Sequence, residues 1–439
     1  MSSNEPNRHH HVHKSWADSF DIYRNPRVLA MLFLGFSAGL PFALTAGTLT
    51  AWLTRAGVGR GDIGLFALVG TFYALKFIWA PLIDQLRIPL LTRIFGRRRS
   101  WMLLAQVGIA ISLLAMADTD PEDQLSLLAW FAILVAFFSA TQDIAVDAWR
   151  IEAVDTETQG AMAASYQLGY RIALLAAGAG ALLIGGMASY PVAYQSMALL
   201  MGVGMVTVLL VKEPSVSAAT TANQLSVFNA PLHWFNEAVV RPFADFFERN
   251  AGNALLILVF IGIYRISDMV LGVMANPFYL ETGFSEAQIA GYVKTVGLAA
   301  VLGGAGLGGV AVVRFGLGGP LVFGAIILAV TNLSFAGLAM AGADVPFLVV
   351  TICADNLAQG FTGTVFIAYL SSLTNISYTA TQYALFTSLM VLPGKLLSAS
   401  SGFIVDAVGW VNFFVYASLM GLPAIFMAIA IRRRLDSDR

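Results

Sequence analysis

The sequence predicts an all-α polytopic membrane protein with 12 transmembrane helices in two six-helix halves. Of its 439 residues, 58% are hydrophobic and only 12% are charged, whereas soluble domains usually carry about 25% charged residues. The apolar residues form continuous runs of about 20 residues, the length that a helix needs to cross the hydrocarbon core. Membrane strands would instead show alternating segments of about 10 residues. Composition and run length therefore indicate helical spans.

The runs follow one another along the chain, and we number them as spans 1 to 12. A polar tail, residues 1–27, precedes them without the pattern of a cleavable signal peptide. We therefore expect span 1 to target the chain itself. The predicted spans are 28–53, 62–84, 100–117, 125–150, 160–188, 192–212, 252–280, 286–313, 317–341, 345–374, 379–405 and 409–431, before a short tail at 432–439.

Lysine and arginine concentrate in the connections on one side of the predicted bundle. Residues 97–99 and 432–434 are basic runs on that side, whereas the other side offers Arg55, Arg60 and the acidic loop DTDPEDQ at 118–124. Cytoplasmic connections carry the excess of Lys and Arg in membrane proteins. Both termini are therefore predicted to be cytoplasmic, in agreement with an even number of spans.

The longest connection, residues 213–251, separates the halves 28–212 and 252–431. Its second part, LHWFNEAVVRPFADFFERN, mixes aromatic and charged residues at helical spacing, which predicts an amphipathic helix on the cytoplasmic surface. The halves are weakly alike, because Gln142 in span 4 falls where Gln359 falls in span 10. Two parallel six-helix halves that hold a substrate between them are a recurring transporter plan.

Several charged residues fall inside the predicted spans. Each costs about 2.5–3.5 kcal/mol at a helix centre and is a candidate functional residue by default. Asp143 and Asp147 share one face of span 4, and Lys76 lies at a similar depth in span 2. We predict that these three residues couple transport to protons, because a buried carboxylate titrates when a neighbouring cation moves. A fixed structural ion pair is the alternative.

The predicted substrate-binding residues come from spans 4, 5, 7 and 10. Arg171 and Arg265 offer planar donors for a carboxylate, and Tyr166 and Tyr170 offer flat surfaces and hydroxyls for a sugar. For Arg171, the alternative is a helix-packing network with Asp143 or Asp147. For Arg265, the alternative is an ion pair with Asp268 on the same helix that has no further function. The full set is Gln142, Tyr166, Tyr170, Arg171, Arg265, Asp268, Asn276, Asp355 and Gln359.

Two further motifs predict helix contacts. Asp84 at the end of APLIDQ faces the arginines of FGRRRSW, which are Arg97, Arg98 and Arg99, across a short loop. This arrangement predicts a gating latch. GAGLGG at 304–309 matches a nucleotide-binding pattern but lies within a span and not after a strand, so it indicates close helix packing.

In their order along the chain, these motifs resemble the major facilitator superfamily and, within it, the AmpG-type muropeptide permeases of Gram-negative bacteria. The resemblance rests on LGFSAGLPFALTAGTLTAWL, FYALKFIWAPLIDQ, FGRRRSW and SATQDIAVDAW. It implies the major-facilitator fold and a proton-driven inner-membrane importer of anhydro-muropeptides, which serves cell-wall recycling and β-lactamase induction. It also implies that Gly39, Gln142 and Asp143 are functionally sensitive positions. Gly39 and Pro41 are predicted packing or hinge positions.

Other functions remain open at this point. The nearest alternative is a transporter of another anionic solute, such as a nucleotide-linked acyl carrier, and a drug-like cation is a further one. An enzyme is not expected, because no histidine falls within any predicted span. The expected partners are a muropeptide, protons and the lipid bilayer, for a monomer without cofactor, metal or nucleic acid.

Overall fold

The structure is a computed structural model that describes residues 21–214, 236–285 and 288–437. Every regular element within these ranges is helical. Ten helices there are long and apolar enough to cross a membrane. The prediction of an all-α polytopic membrane protein is confirmed.

The observed helices follow the predicted spans, with bounds that shift by a few residues. Several spans consist of two or more helical segments separated by a short break. The segments are Pro26–Leu44 and Gly47–Arg55 in span 1, Arg60–Leu65, Thr71–Leu75 and Ala80–Gln85 in span 2, Arg97–Ala117 in span 3, Leu125–Ala153 in span 4, Gln159–Leu175 and Ala181–Met187 in span 5, Tyr190–Leu200 and Gly202–Leu210 in span 6, Ala254–Ile263 and Ile266–Thr282 in span 7, Ile289–Val296 and Gly297–Phe315 in span 8, Gly318–Ala341 in span 9, Val345–Leu373 in span 10, Thr379–Ser398 in span 11, and Ser401–Leu419 and Leu422–Ser437 thereafter.

Spans 2 and 11 lie outside the ten long apolar helices. Span 2 is interrupted by the 3₁₀ turns Phe66–Gly70 and Lys76–Ile78, and only its part Leu68–Ile78 is a shorter apolar helix. Span 11 contains the buried polar residues Thr381 and Gln382. Both spans contact the opposite half of the protein. A helix face that contacts protein does not need the apolar side chains that a face in contact with lipid needs. The count of 12 spans stays a prediction.

The turn between spans 11 and 12 lies at Gly409. Its φ of 75° and ψ of 169° interrupt the helix Ser401–Leu419, and glycine adopts this left-handed φ without steric cost. The indole of Trp410 donates to Glu281 at the end of span 7 over 2.9 Å. The chain therefore reverses here, next to the position at which the sequence predicts a turn.

The predicted amphipathic helix of the linker lies partly outside the described residues. Residues 236–250 of the segment are helical, as a π-helical turn Asn236–Val240 followed by the helix Arg241–Asn250. In this helix Phe246 is buried while Phe243 and Phe247 are exposed. Residues 215–235 are not described.

Close helix contacts hold the spans of each half together. A Cβ atom on Gly39 of span 1 would lie 2.6 Å from the carbonyl oxygen of Tyr170 in span 5. A Cβ atom on Gly304 of span 8 would lie 2.0 Å from the carbonyl oxygen of Leu357 in span 10. Glycine permits this approach because helix backbones meet only where side chains are small. Span 1 also contains Pro41 inside the helix Pro26–Leu44, where proline lacks the N–H that would bond to the carbonyl of Ser37.

We expect Gly39→Ala to lower the melting temperature of the purified protein, because the added methyl group has no space against span 5. Overpacking of this kind costs about 1–3 kcal/mol. Gly272→Ala is the matched control, since a Cβ atom at that position meets nothing within 4 Å. Thermal unfolding of both variants in detergent tests the prediction, and equal melting temperatures would contradict it.

The two halves contact each other at one end of the bundle. We name the end that carries Arg97, Arg98 and Arg99 the basic end, and the end that carries residues 118–124 the acidic end. One of the bonds between the halves lies near mid-length of spans 11 and 2, where the Ser388 hydroxyl donates to the carbonyl oxygen of Ala74 over 3.1 Å. The hydrogen bonds that join the two sides in the described residues include those that Tyr23 donates to Gly306, Ala380 and Thr381 donate to Asp84, Arg150 donates to Ser371, and Ser388 donates to Ala74.

Tyr23 contributes to this closure from the segment before span 1. Its hydroxyl donates to the carbonyl oxygen of Gly306 over 3.0 Å. Burial raises the pKa of Tyr23 to about 12, so the hydroxyl keeps its proton at any physiological pH and remains a donor. The described contacts therefore close the basic end from the turn Asp21–Arg24 to the middle of the bundle.

Candidate functional site

Asp84 joins the two halves at the basic end. Its carboxylate is buried and accepts hydrogen bonds from the backbone N–H groups of Ala380 at 3.1 Å and Thr381 at 2.7 Å, and from the Thr381 hydroxyl at 2.7 Å. Span 11 begins at Thr379, so a carboxylate from one half occupies the N-terminus of a helix in the other. Unpaired N–H groups and the helix dipole both favour an anion at this place.

The three arginines of the predicted latch have different partners. Arg98 is fully buried between Asp84 at 2.7 Å and Glu152 at 2.5 Å. Arg97 donates to the main-chain carbonyl of Asp84 over 2.7 Å. Arg99 donates to the carbonyls that end span 6, those of Val208 and Leu209. Only Arg98 therefore contacts the carboxylate that joins the halves.

Two acidic residues of this region were not predicted from the sequence. Glu152 ends span 4 and holds Arg98, as described above. Glu213 accepts from the N–H groups of Arg98 at 2.7 Å and Arg99 at 3.2 Å, which caps span 3. Burial raises the pKa of the Glu213 carboxyl. The only signal in the sequence is that each acid lies within four residues of a predicted span end, which many surface acids share.

Arg150 forms a second junction between the halves. Its Nη1 donates to Gln159 over 2.8 Å and to Ser371 of span 10 over 3.0 Å. Its guanidinium group also lies over the ring of Tyr383 in span 11, 5.1 Å from the centroid. Arg150 is almost fully buried, so it ties span 4 to two spans of the opposite half.

The predicted proton-coupling residues lie together, with one change of partner. Lys76 pairs with Asp147 at 3.8 Å, and Asp147 also lies 3.6 Å from Arg150. The pairing of Lys76 with Asp143 that the sequence suggested is not the direct one, because Lys76 contacts the carboxylate one turn nearer the basic end. Asp143 instead accepts a long bond of 3.4 Å from the hydroxyl of Tyr166.

Asp143 nevertheless shares one electrostatic neighbourhood with these residues. The charges of Lys76 and Asp147 both act on it. Tyr170, whose ring centroid lies 6.1 Å from that of Tyr166, is within the field of both Asp143 and Arg171. The two tyrosines of span 5 therefore connect the carboxylates of span 4 to the arginine of span 5.

Gln142 contacts other helices of the first half. It is fully buried and accepts from the Ser37 hydroxyl over 3.0 Å, and Gln106 donates to the same hydroxyl over 3.4 Å. One residue of separation rotates a side chain by about 100° around a helix, so Gln142 faces spans 1 and 3 while Asp143 faces spans 2 and 5. Gln142 links three helices of one half and does not line a cavity in this state.

The charged residues of the second half form a cluster on spans 7 and 10. Arg265 pairs with Asp268 at 2.5 Å, and Gln359 donates to the buried Asp355 over 2.7 Å. The charges of Asp268 and Arg265 both act on Asp355. Asn276 is exposed two turns beyond Asp268 on the same face of span 7. The cluster therefore brings together four of the predicted binding residues.

Arg171 and Arg265 approach each other from opposite halves. Arg171 is exposed, and its positive charge is close enough to that of Arg265 for the two to repel. A Cβ atom on Gly363 of span 10 would lie 3.5 Å from the Gln167 side-chain nitrogen and 3.9 Å from Arg265 Nη1. Donors from both halves thus converge near Gly363. Such an arrangement can hold an anionic group, which would relieve the repulsion.

Comparison with known proteins identifies relatives over almost the whole chain. A sequence profile of the Major Facilitator Superfamily matches residues 31–396. The chain is 33% identical over 420 residues to the anhydromuropeptide permease of Escherichia coli K12, covering 95% of this chain and 82% of that protein. It is 32% identical over 417 residues to a Rickettsia conorii protein with the transporter name AmpG 4, covering 94% and 99% of the two chains. The resemblance seen in the sequence motifs is confirmed.

Solved structures of the same superfamily share the fold. The transporter FucP in its outward conformation has a TM-score of 0.67 at 13% identity, over 94% of this chain and 99% of that chain. The proton:xylose symporter XylE has a TM-score of 0.63 at 14% identity, over 94% of this chain and 95% of that one. At these identities the likeness shows the fold alone.

Proposed function

Because the chain belongs to the major facilitator superfamily, we propose that it imports anhydro-muropeptides across the bacterial inner membrane, driven by protons. The observation that carries the proposal is the approach of Arg171 and Arg265 from opposite halves, in a chain similar to a permease named for this cargo. Two cations between the halves suit a cargo with carboxylates on its peptide. They disfavour a cationic drug, which they would repel.

The polar and aromatic groups around these cations suit the rest of such a cargo. Tyr166 and Tyr170 present tilted rings that can stack on a sugar, and Gln167 and Gln359 offer amide groups for hydroxyls and peptide bonds. Arg265 is already neutralised by Asp268. We propose that Arg171 carries more of the attraction for a carboxylate.

We expect Arg171→Ala and Arg265→Ala to weaken muropeptide binding, the first by more than the second. A charge-assisted hydrogen bond contributes about 1.5–3 kcal/mol, which corresponds to about tenfold to a hundredfold in Kd. Equilibrium binding of a labelled anhydro-muropeptide to each purified variant measures the effect. Arg241→Ala is the control, because Arg241 is an exposed cation of the linker. Wild-type affinity in both variants would exclude the carboxylate clamp.

The proton site that we propose is Asp143, with Asp147 and Lys76 as its electrostatic partners. Asp147 takes the direct ion pairs with Lys76 and Arg150, whereas the contact of Asp143 is a long hydrogen bond from a tyrosine. The charge of Asp143 is therefore the less compensated of the two. A buried carboxylate with weak compensation is the one that takes up a proton most readily.

Alternating access would proceed by rocking of the two halves around this site. We take the basic end as cytoplasmic, following the excess of Lys and Arg. The contacts from Asp84 to span 11 and from Arg150 to span 10 then close the cytoplasmic side in this structure. Import would require these contacts to break, so the Asp84 junction is the proposed inner gate.

Uptake into proteoliposomes tests the proposed function. The purified protein is reconstituted, and accumulation of labelled anhydro-muropeptide is measured with an inward proton gradient and again with an uncoupler. We expect accumulation that collapses with the uncoupler. Uptake that ignores the gradient would remove the proton from the mechanism. Absence of uptake by folded protein would favour another anionic solute, such as a nucleotide-linked acyl carrier.

A further inference from the structure

An apolar groove runs between spans 1 and 6 on the outer surface of the bundle. It has a volume of about 890 Å³ and lies toward the basic end. Its walls include Leu29 and Phe33 of span 1 and Val206 and Leu210 of span 6, all of them exposed. Both spans are long enough to cross a membrane, so this groove opens onto the hydrocarbon of the bilayer.

The mouth of the groove is basic. Arg27 and Lys212 line it at the basic end, and both are exposed. Arg27 donates to the carbonyl oxygen of Ala153 at the end of span 4, which anchors the guanidinium group at this place. The two cations lie at the end of the apolar walls, where an anionic headgroup would meet them if acyl chains filled the groove.

The acidic residues nearest in sequence to Arg27 and Lys212 contact other groups. Glu213 follows Lys212 directly, yet its carboxylate accepts from the N–H groups of Arg98 and Arg99 that begin span 3. Asp21 pairs with Arg24 at 3.1 Å. Neither of these two carboxylates therefore pairs with Arg27 or Lys212, and a lipid phosphate could neutralise the two cations.

We propose that this groove is a binding site for an anionic phospholipid. The acyl chains lie against the apolar walls, and the phosphate sits between Arg27 and Lys212. Basic pockets between transmembrane helices recognise anionic headgroups in this way. The occupant would join span 1 to span 6 on the lipid side, next to the end of span 4 that holds Glu152. The proposal does not depend on the cargo that the protein transports.

Native mass spectrometry of the delipidated full chain tests the proposal. Phosphatidylglycerol and phosphatidylethanolamine with identical acyl chains are titrated against the protein. We expect phosphatidylglycerol to bind about thirtyfold more tightly, which is the effect of two cations near an anionic headgroup. The double variant Arg27→Gln/Lys212→Gln should reduce this ratio to about one, whereas Arg27→Lys/Lys212→Arg should keep it.

Two further variants separate the groove from general surface charge. Arg24→Gln removes an exposed cation that is paired with Asp21 and does not line the groove, so we expect it to keep the preference. Val206→Trp narrows the groove and keeps both cations. We expect it to weaken the binding of both phosphatidylglycerol and phosphatidylethanolamine. Equal binding of the two lipids to the wild-type chain would overturn the proposal, and so would an unchanged preference in the double glutamine variant. Lipid binding that appears only after removal of residues 1–20 would assign the groove to that segment instead.

Discussion

Asp84→Asn is expected to open the basic end and to reduce the proposed muropeptide uptake at least tenfold. The ion pair of Asp84 with Arg98 lies within one half, so it persists when the halves move. The bonds to Ala380 and Thr381 cross between the halves. An amide retains only one acceptor oxygen for these donors, and each lost charge-assisted bond costs about 1.5 kcal/mol or more. Two lost bonds would shift the equilibrium by about a hundredfold toward the state open at this end.

Cysteine labelling measures this shift directly. Cys353 is the sole cysteine of the chain, so a Cys353→Ala background is practical. Ala384→Cys then reports on span 11, because Ala384 is buried where that span meets the first half. Asp84→Asn should speed maleimide labelling of this cysteine. Asp344→Asn is the matched control, since Asp344 caps span 10 within one half by accepting from Phe347. Equal labelling in the two variants would refute the proposed gate.

Asp143→Asn is expected to abolish gradient-driven accumulation while exchange of cargo continues. Asparagine has nearly the shape of aspartate and can still accept from Tyr166, but it carries no proton between the two sides. A gradient of one pH unit is worth about 1.4 kcal/mol, so one coupled proton would support about tenfold accumulation. We expect the wild-type protein to approach this ratio and the variant to stop at a ratio of about one.

Counterflow in proteoliposomes distinguishes loss of coupling from loss of transport. Asp143→Asn should retain counterflow, since the empty and loaded states still interconvert. Asp147→Asn is the contrasting variant, because Asp147 is the direct partner of Lys76 and Arg150. Its loss leaves buried cations without that partner, which is costly, so both accumulation and counterflow should fall. Full accumulation by Asp143→Asn would exclude Asp143 as the proton carrier.

Local sequence signals predicted the helices well where a span is one continuous helix. Span 4 was predicted at 125–150 and is observed as Leu125–Ala153, and span 9 at 317–341 is observed as Gly318–Ala341. Span 2 was predicted as one continuous run but is broken into short segments. Hydropathy does not reveal such breaks, because it averages side chains over a window and contains no information on contacts. The segments of span 2 are held in place by contacts with the opposite half, such as that of Asp84 with span 11.

The sequence predicted which residues lie close together in the site better than it predicted which of them pair with each other. Lys76, Asp143 and Asp147 were selected because a charged side chain inside a membrane span is costly in free energy. In the structure these three residues are neighbours. The sequence did not reveal which carboxylate pairs with Lys76, since both share a face and differ by one turn. Nor did it reveal that Gln142 points away from its neighbour Asp143, because the direction in which a helix face points depends on the helices packed around it.

The sequence by itself determined that this chain spans a membrane as two groups of helices with costly charges inside them. Those conclusions follow from local quantities, namely the transfer free energy of each side chain and the length of each apolar run. Only the tertiary structure decided which groups meet across the halves. Asp84 reaches the N-terminus of span 11, which is 296 residues further along the chain, and the charge of Arg265 acts on Arg171 from the opposite half. Such contacts depend on the rotation and depth of each helix, which are set by packing and not by any single span.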